Sequence, residues 1–331
     1  MNNKYLIMFL ILLVVSLNTA YAGNVLRLGS AGGQELRLPV GSRGTALGGA
    51  VVADATGVES IFWNPAGLAF TTRTEAMFSH QPYLADIDVN FAGVVTRIED
   101  FGTIGVAAKI VSIGDIEETT EDYSDGTGRV FSPTLSVISL SYARILTSNV
   151  SFGFTTMFVN EKIFEVSASG LAFDVGVVFD PNWNGLKLGM VIKNYGPEME
   201  FGGRGFDRSL DGDRPARPVV ASFDLPSSIN FGASYRFFDQ EKSMASLNGN
   251  FRSNNYSQDV WQGGMEYVFD EKYSLRAGYN YADQDDYIYG FSAGGGLMFD
   301  LGGNTMSFEY AWAETGDIFD ANQYFTLKFL F

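Results

Sequence analysis

The sequence predicts an all-β protein, a transmembrane antiparallel β-barrel of about 14 strands with an N-terminal hatch in its lumen. Three observations predict it. Segments of roughly ten residues alternate apolar and polar side chains along most of the chain. Short and long connections between them take turns. The last segment carries Phe325, Leu327, Phe329 and Phe331 on one face and ends on Phe331.

The front of the chain reads as an export signal. Lys4 precedes an apolar core, Tyr5 to Val15, and Ser16 to Ala22 end in an Ala-x-Ala-like site. Residues 1–22 are therefore expected to be removed before Gly23. The chain has no cysteine, which excludes a lipid-anchored lipoprotein, disulfides and thiol chemistry. Net charge is −16, and loss of Lys4 makes it −17 for residues 23–331, which argues against a nucleic-acid partner. Acidic outer loops are a natural home for that charge. Beyond the signal no apolar run reaches the ~20 residues a membrane helix needs, so a crossing must use strands. Phe and Tyr (28 and 16) outnumber the 38 acidic residues, an unusual balance for a soluble secreted protein.

Residues 23–72 are rich in Gly and Ala, and Ala46–Ala55 suits a short helix or compact coil. From residue 73 to 331 the texture is strand-like. Ile229, Phe231, Ala233, Tyr235 and Phe237 alternate with Asn230, Gly232, Ser234 and Arg236. The same split runs through 273–281 and 306–312. Strands are expected near 74–81, 87–97, 102–115, 134–145, 149–161, 170–180, 186–195, 227–238, 243–252, 260–269, 272–281, 288–299, 304–313 and 322–331.

The even-numbered connections are short, such as Leu146–Ser148 and Asp270–Glu271. The odd-numbered ones include the long Ile116–Pro133 and Gly196–Pro226. Turns below and loops above a membrane barrel give this parity. A secreted β-sandwich or propeller explains the alternation but not the parity. The terminal aromatic strand resembles the address read by the barrel assembly machinery. Because lipid offers no hydrogen-bond partner, the sheet must close. Arg236, Arg252, Glu266, Arg276, Glu309 and Lys328 then face inward, either as a paired network or as solvated side chains.

Phe62, Trp63, Leu68 and Phe70 make residues 23–72 too apolar to stay free in water, and a barrel this wide has a lumen to fill. The Asn64-Pro65 corner would turn this segment inside it, because proline forces its predecessor out of the helical region. Here the chain resembles a known family. Gly44-Thr45-Ala46-Leu47-Gly48-Gly49-Ala50, Ala53-Asp54 and Ile61-Phe62-Trp63-Asn64-Pro65-Ala66-Gly67-Leu68-Ala69 look like the N-terminal signature of PorV/PorQ-type proteins, within the FadL-like superfamily of outer-membrane proteins. Asn194-Tyr195-Gly196-Pro197, Leu225-Pro226 and Asn230–Phe237 extend the likeness. The resemblance implies a fourteen-stranded barrel in the outer membrane, in contact with lipid and lipopolysaccharide. For FadL-like members it implies passive uptake of small hydrophobic molecules, caught among the loops, held beside the hatch and released sideways through the wall. For PorV-type members it implies a binding scaffold for proteins secreted by a type IX system. Candidates along the hatch and ligand path are Leu47, Asp54, Ile61, Phe62, Trp63, Asn64, Pro65, Ala66, Leu68 and Phe70, whose apolar members would equally serve to bond the plug to the wall.

Other chemistry finds little support. His80, the only histidine, stands beside Ser79 without a third triad member, and an interface or lumen role is expected. One imidazole and no thiol disfavour zinc, and neither cofactor nor catalysis is expected. Asp207, Ser209, Asp211 and Asp213 imitate half of a calcium loop, but Pro218 stands where the bidentate Glu belongs. The Gly-rich stretches Gly41–Ala50 and Gly202–Gly205 lack the Gly-Lys-Ser/Thr ending of a phosphate loop. Glu117, Glu118, Glu121 and Asp122 form an acidic outer run suited to solvent or to cation bridges with lipopolysaccharide.

Overall fold

The computed structural model describes residues 27, 29–206, 208–210, 214–216, 219–283, 287–316 and 320–331. The expected signal, residues 1–22, lies outside them. So do Asp207, Asp211 and Asp213 of the calcium-like stretch, and Ser209 is described in its backbone only, within a short ribbon of 208–210 against 214–216.

The wall is a closed antiparallel barrel of 14 strands. Its first half is β1 (Glu75–Pro82), β2 (Asp88–Ile98), β3 (Gly102–Ser112), β4 (Thr134–Thr147), β5 (Val150–Ile163), β6 (Val166–Phe179) and β7 (Leu186–Tyr195). The second half is β8 (Ser228–Gln240), β9 (Ser243–Asn254), β10 (Val260–Phe269), β11 (Tyr273–Ala282), β12 (Phe291–Leu301), β13 (Asn304–Ala313) and β14 (Asn322–Leu330). Each strand pairs with its sequence neighbours, and β1 closes the ring on β14, from Glu75 opposite Leu330 to His80 opposite Phe325. Closure leaves no strand edge unpaired, as hydrocarbon surroundings require.

Alternation decides which side chains meet lipid. On β11, Leu275 is 68% exposed while the next residue, Arg276, is 8% exposed and faces the lumen. Ile229, Phe231, Tyr235 and Phe237 of β8 likewise point out, and Ser228, Asn230 and Ser234 point in. Phe325, Phe329 and Phe331 lie exposed on the outer face with half-buried Leu327, the Phe325 ring 5.4 Å from that of Tyr310. Such an outer band of Phe, Leu, Ile and Tyr is stable only against acyl chains.

The structure departs from the expected strands at the β5–β6 connection. The stretch from Lys162 to Ser169 falls between the expected strands, yet Ile163 pairs with Val166 and the turn is only Phe164-Glu165. Phe164 adopts φ 51°, in the left-handed region that closes a tight hairpin. Apolar Ile163, Phe164, Val166 and Ala168 are mixed there with Lys162, Glu165, Ser167 and Ser169, so no turn residue or clean change of texture marks the tip of two long strands. At β6–β7 the ladder slips between Phe173 and Val175, and the backbone N–H of Asn194, at φ 55°, donates instead to Asp174 Oδ1 at 2.6 Å.

Residues 33–71 run inside the barrel as short turns: α1 (Ser42–Ala46), α2 (Ser60–Trp63) and 3-10 turns at Gln34–Arg37, Gly57–Glu59 and Pro65–Phe70. The path starts at the loop end, where Arg27 pairs with Asp224 and the Gly32 N–H donates to the Asp224 carbonyl at 3.1 Å. It finishes at the turn end, where β1 begins. Helix α1 starts earlier than Ala46–Ala55 suggests, and 47–55 is compact coil. The Asn64 corner is extended (φ −161°), as the following proline demands, and its Oδ1 accepts the Ala66 N–H at 3.1 Å. Wall glycines make room for this backbone. A Cβ on Gly176 would stand 1.9 Å from Asn64 Oδ1, and one on Gly278 would stand 2.3 Å from the Leu47–Gly48 peptide.

Candidate functional site

Two buried clusters join the luminal segment to the wall. The first is ionic. Arg43 donates from Nε and Nη2 to Glu266 at 3.1 and 2.7 Å, and from Nη2 to Asp54 at 2.8 Å. Glu266 also accepts from Arg276 Nε at 2.7 Å, and Arg276 reaches Glu309 at 3.3 Å. Lys328 pairs with Glu309 at 3.1 Å and Glu59 at 3.4 Å, and Lys187 with Asp54 at 3.5 Å. Four cations thus meet four carboxylates. Desolvating charges is costly, so such a cluster adds little net stability, but breaking one member is severe. It fixes where residues 41–59 sit against β7, β10, β11, β13 and β14. Burial pushes the Glu59 carboxyl up, opposed by Lys328. Arg252 and Arg236 do not join: Arg236 pairs with Asp239 at the turn end, and Arg252 stands apart.

The second cluster surrounds Phe62. Lys109 and Lys193 place their ammonium groups 4.6 and 3.6 Å from the Phe62 ring centre, and the Trp63 ring meets it edge-on at 4.9 Å. Nearby, Glu35 is 1% exposed and lies close to Glu161, which accepts the Gly33 N–H at 2.9 Å. Burial, then the Glu161 charge, pushes Glu35 up to about 7.

Between this segment and the wall lies a cavity of about 680 Å³ that reaches the loop end. Phe62 and Trp63 line it from the segment, Lys193 and Arg252 from the wall, and Tyr83, Tyr256, Tyr287 and Tyr289 from the loops. The Tyr83 and Tyr289 hydroxyls bond each other at 3.0 Å, and Arg37 lies 4.7 Å over the Tyr256 ring. A second void of about 20 Å³, among Ile61, Phe91, Val137 and Met157, shares Phe62, Lys193 and Asn194 with the first.

The sequence candidates separate in space. Phe62 and Trp63 face the large cavity, and Ile61 lines only the small one. Leu47 and Leu68 are fully buried in apolar clusters, and Asp54 belongs to the ionic cluster. Asn64 donates to the carbonyls of Val52 (2.7 Å) and Val177 (3.4 Å); Pro65 and Ala66 press on Gly153 of β5; Phe70 carries Lys187 5.1 Å over its ring. The tyrosines and Arg37 gave no signal, since loop residues have no period to betray them. Arg252 was marked only by inward parity, and Lys193 was not singled out. Ser79 and His80 point to opposite faces of β1, and His80 bonds Asn90 at 2.9 Å, so they make no catalytic pair.

Residues 35–212 match the family model described as type IX secretion system protein PorV. The chain belongs to the PorV family. No curated protein matches this PorV-family chain. Its fold is similar to that of CymD, a monoaromatic hydrocarbon channel (13% identity, 88% of this chain and 96% of that one, TM-score 0.58). It is equally similar to the Pseudomonas putida toluene transporter TodX (13%, 88% and 98%, 0.58). A Pseudomonas aeruginosa FadL homologue follows (14%, 88% and 99%, 0.51). At such identities the likeness is one of fold. A PorV-family barrel of this architecture is an outer-membrane protein.

Proposed function

We propose that this chain is a passive outer-membrane channel for small hydrophobic molecules, with residues 23–72 as its hatch and 73–331 as its wall. The cavity between segment and wall carries the reading, being roomy, reachable from the loops and lined in part by seven aromatic side chains, Phe62, Trp63, Tyr83, Tyr256, Tyr287, Tyr289 and Tyr324. The named solved channels of the same fold support it by analogy. The ladder slip at Asp174 and Asn194 borders both cavities and suits a sideways exit into the bilayer. No fuel or chemistry is required. The test is uptake of a toluene-like solute into proteoliposomes: flux above protein-free vesicles supports the channel, and equal flux rejects it.

A second reading follows from the family match itself, in which the barrel is a scaffold for secreted proteins. The loop between β7 and β8 would give it a surface: Met199 pairs with Phe223 and Leu225 is buried with Leu36 of the luminal segment, which anchors the loop and leaves Pro197, Glu198, Glu200 and Val219 exposed. Co-purification with a secreted C-terminal domain supports this reading, and its consistent absence removes it.

A further inference from the structure

The charge of the cavity contradicts the charge of the chain. The protein carries −16 overall, yet among the described residues the cavity is lined by three cations, Arg37, Lys193 and Arg252, and one carboxylate, Glu35. Glu35 is held toward its protonated form by burial, so the excess is positive.

Arg252 has no carboxylate within ion-pair distance among the described residues. Its Nε donates to Asn230 Oδ1 at 3.1 Å and its Nη2 to Gln262 Oε1 at 3.2 Å, both neutral amides, and Nη1 has no partner among those residues. A guanidinium is built to grip a carboxylate through two parallel N–H bonds, and two weak acceptors leave that capacity unused. Lys193 sits with its ammonium over the faces of Phe62 and Trp63 (3.6 and 5.9 Å). Asp174 is the counter-charge that acts on it, but one Asp174 oxygen is already engaged by the Asn194 N–H. Aromatic rings line the same cavity, Phe62 and Trp63 beneath Lys193 and Tyr256 and Tyr287 from the loops. Burial pushes the Tyr287 hydroxyl up to about 12, so it stays a neutral donor.

We propose that the cavity binds aromatic monocarboxylates, with the carboxylate at Arg252 and Lys193 and the ring among Phe62, Trp63, Tyr256 and Tyr287. The inference rests on reading the cavity as a ligand compartment, and it narrows that reading from hydrophobic molecules in general to anionic aromatic ones. A neutral hydrocarbon would leave Arg252 desolvated and unmatched. A saturated acid would match it but forgo ring contacts with the aromatic part of the lining.

The full chain in lipid nanodiscs is titrated by calorimetry with 1-naphthoate, its neutral isostere 1-naphthamide, and octanoate. Naphthoate is expected to bind about tenfold or more tighter than either. Arg252→Gln and Lys193→Gln each weaken naphthoate about tenfold and leave naphthamide within about twofold, and Arg252→Lys recovers part of the loss. Equal affinity for naphthamide or octanoate, no naphthoate binding, or no recovery in Arg252→Lys overturns the proposal. Naphthoate that binds in nanodiscs but crosses no proteoliposome sinks the channel and leaves the binding site standing.

Discussion

Glu266→Gln is the sharpest test of how the luminal segment is held. Glu266 accepts three charge-assisted hydrogen bonds, two from Arg43 of the segment and one from Arg276 of the wall. A glutamine oxygen retains at most one of them at full strength, and its amide group turns a donor toward two guanidinium groups. Arg43 keeps Asp54, and Arg276 keeps only the longer contact to Glu309 at 3.3 Å. Breaking one member of a buried ionic cluster costs about 3–5 kcal/mol. The loss falls between segment and wall, because the backbone ladders of β10 and β11 are untouched. Hydrogen exchange of a peptide spanning residues 40–56 should therefore accelerate by about two to three and a half powers of ten, at about 1.4 kcal/mol per tenfold. Peptides from β10 and β11 should keep their rates. Unchanged exchange in 40–56, or acceleration spread evenly over the wall, would refute the idea that this cluster seats the segment.

Other perturbations address other joints. Asn64→Ala removes the cap on Ala66 and the donors to Val52 and Val177, for a cost of about 2–4 kcal/mol, read as faster proteolysis of the segment in the detergent-extracted protein. Gly176→Val places its side chain where Asn64 Oδ1 now stands, so the corner must lift, and planar-bilayer conductance should rise above that of the unsubstituted chain. Glu35 gives a pH dependence of definite sign. Its carboxyl is raised from 4.5 to about 7 in the fold, so the protonated form is favoured there. The contribution is full below about pH 4.5, declines between 4.5 and 7, and is absent above. Exchange of residues 30–38, corrected for its intrinsic pH dependence, should grow across that window, and Glu35→Gln should abolish the trend.

The wall was legible because a lipid-facing strand writes its geometry into every second residue. Parity marked Ile229 to Phe237 as outward and Arg276, Glu309 and Lys328 as inward, and the backbone places them so. The β5–β6 hairpin was not legible, because its two-residue turn is Phe164-Glu165, with none of the Gly, Pro, Asn or Asp residues that mark a tight turn. The luminal segment had no period, and only its apolar load and its family-like motif gave it away. The candidate site was read in part. Phe62 and Trp63 stood out as bulky residues without a home, whereas Tyr83, Tyr256, Tyr287 and Tyr289 come together from three loops through closure of a ring that no local pattern encodes. Asp54 was picked out with the hatch motif, but Arg43 and Glu59 were not, because sequence shows a charge but not the wall partner some 200 residues away.

The pairing of Glu59 with Lys328 links two parts of the molecule that meet only in the closed ring. One partner lies in the inner segment and the other on β14, the strand that zips onto β1. Any opening of the β1–β14 seam therefore draws this cation away from Glu59, and any lifting of the inner segment leaves Lys328 facing Glu309. The seam and the seat of the segment are expected to loosen together.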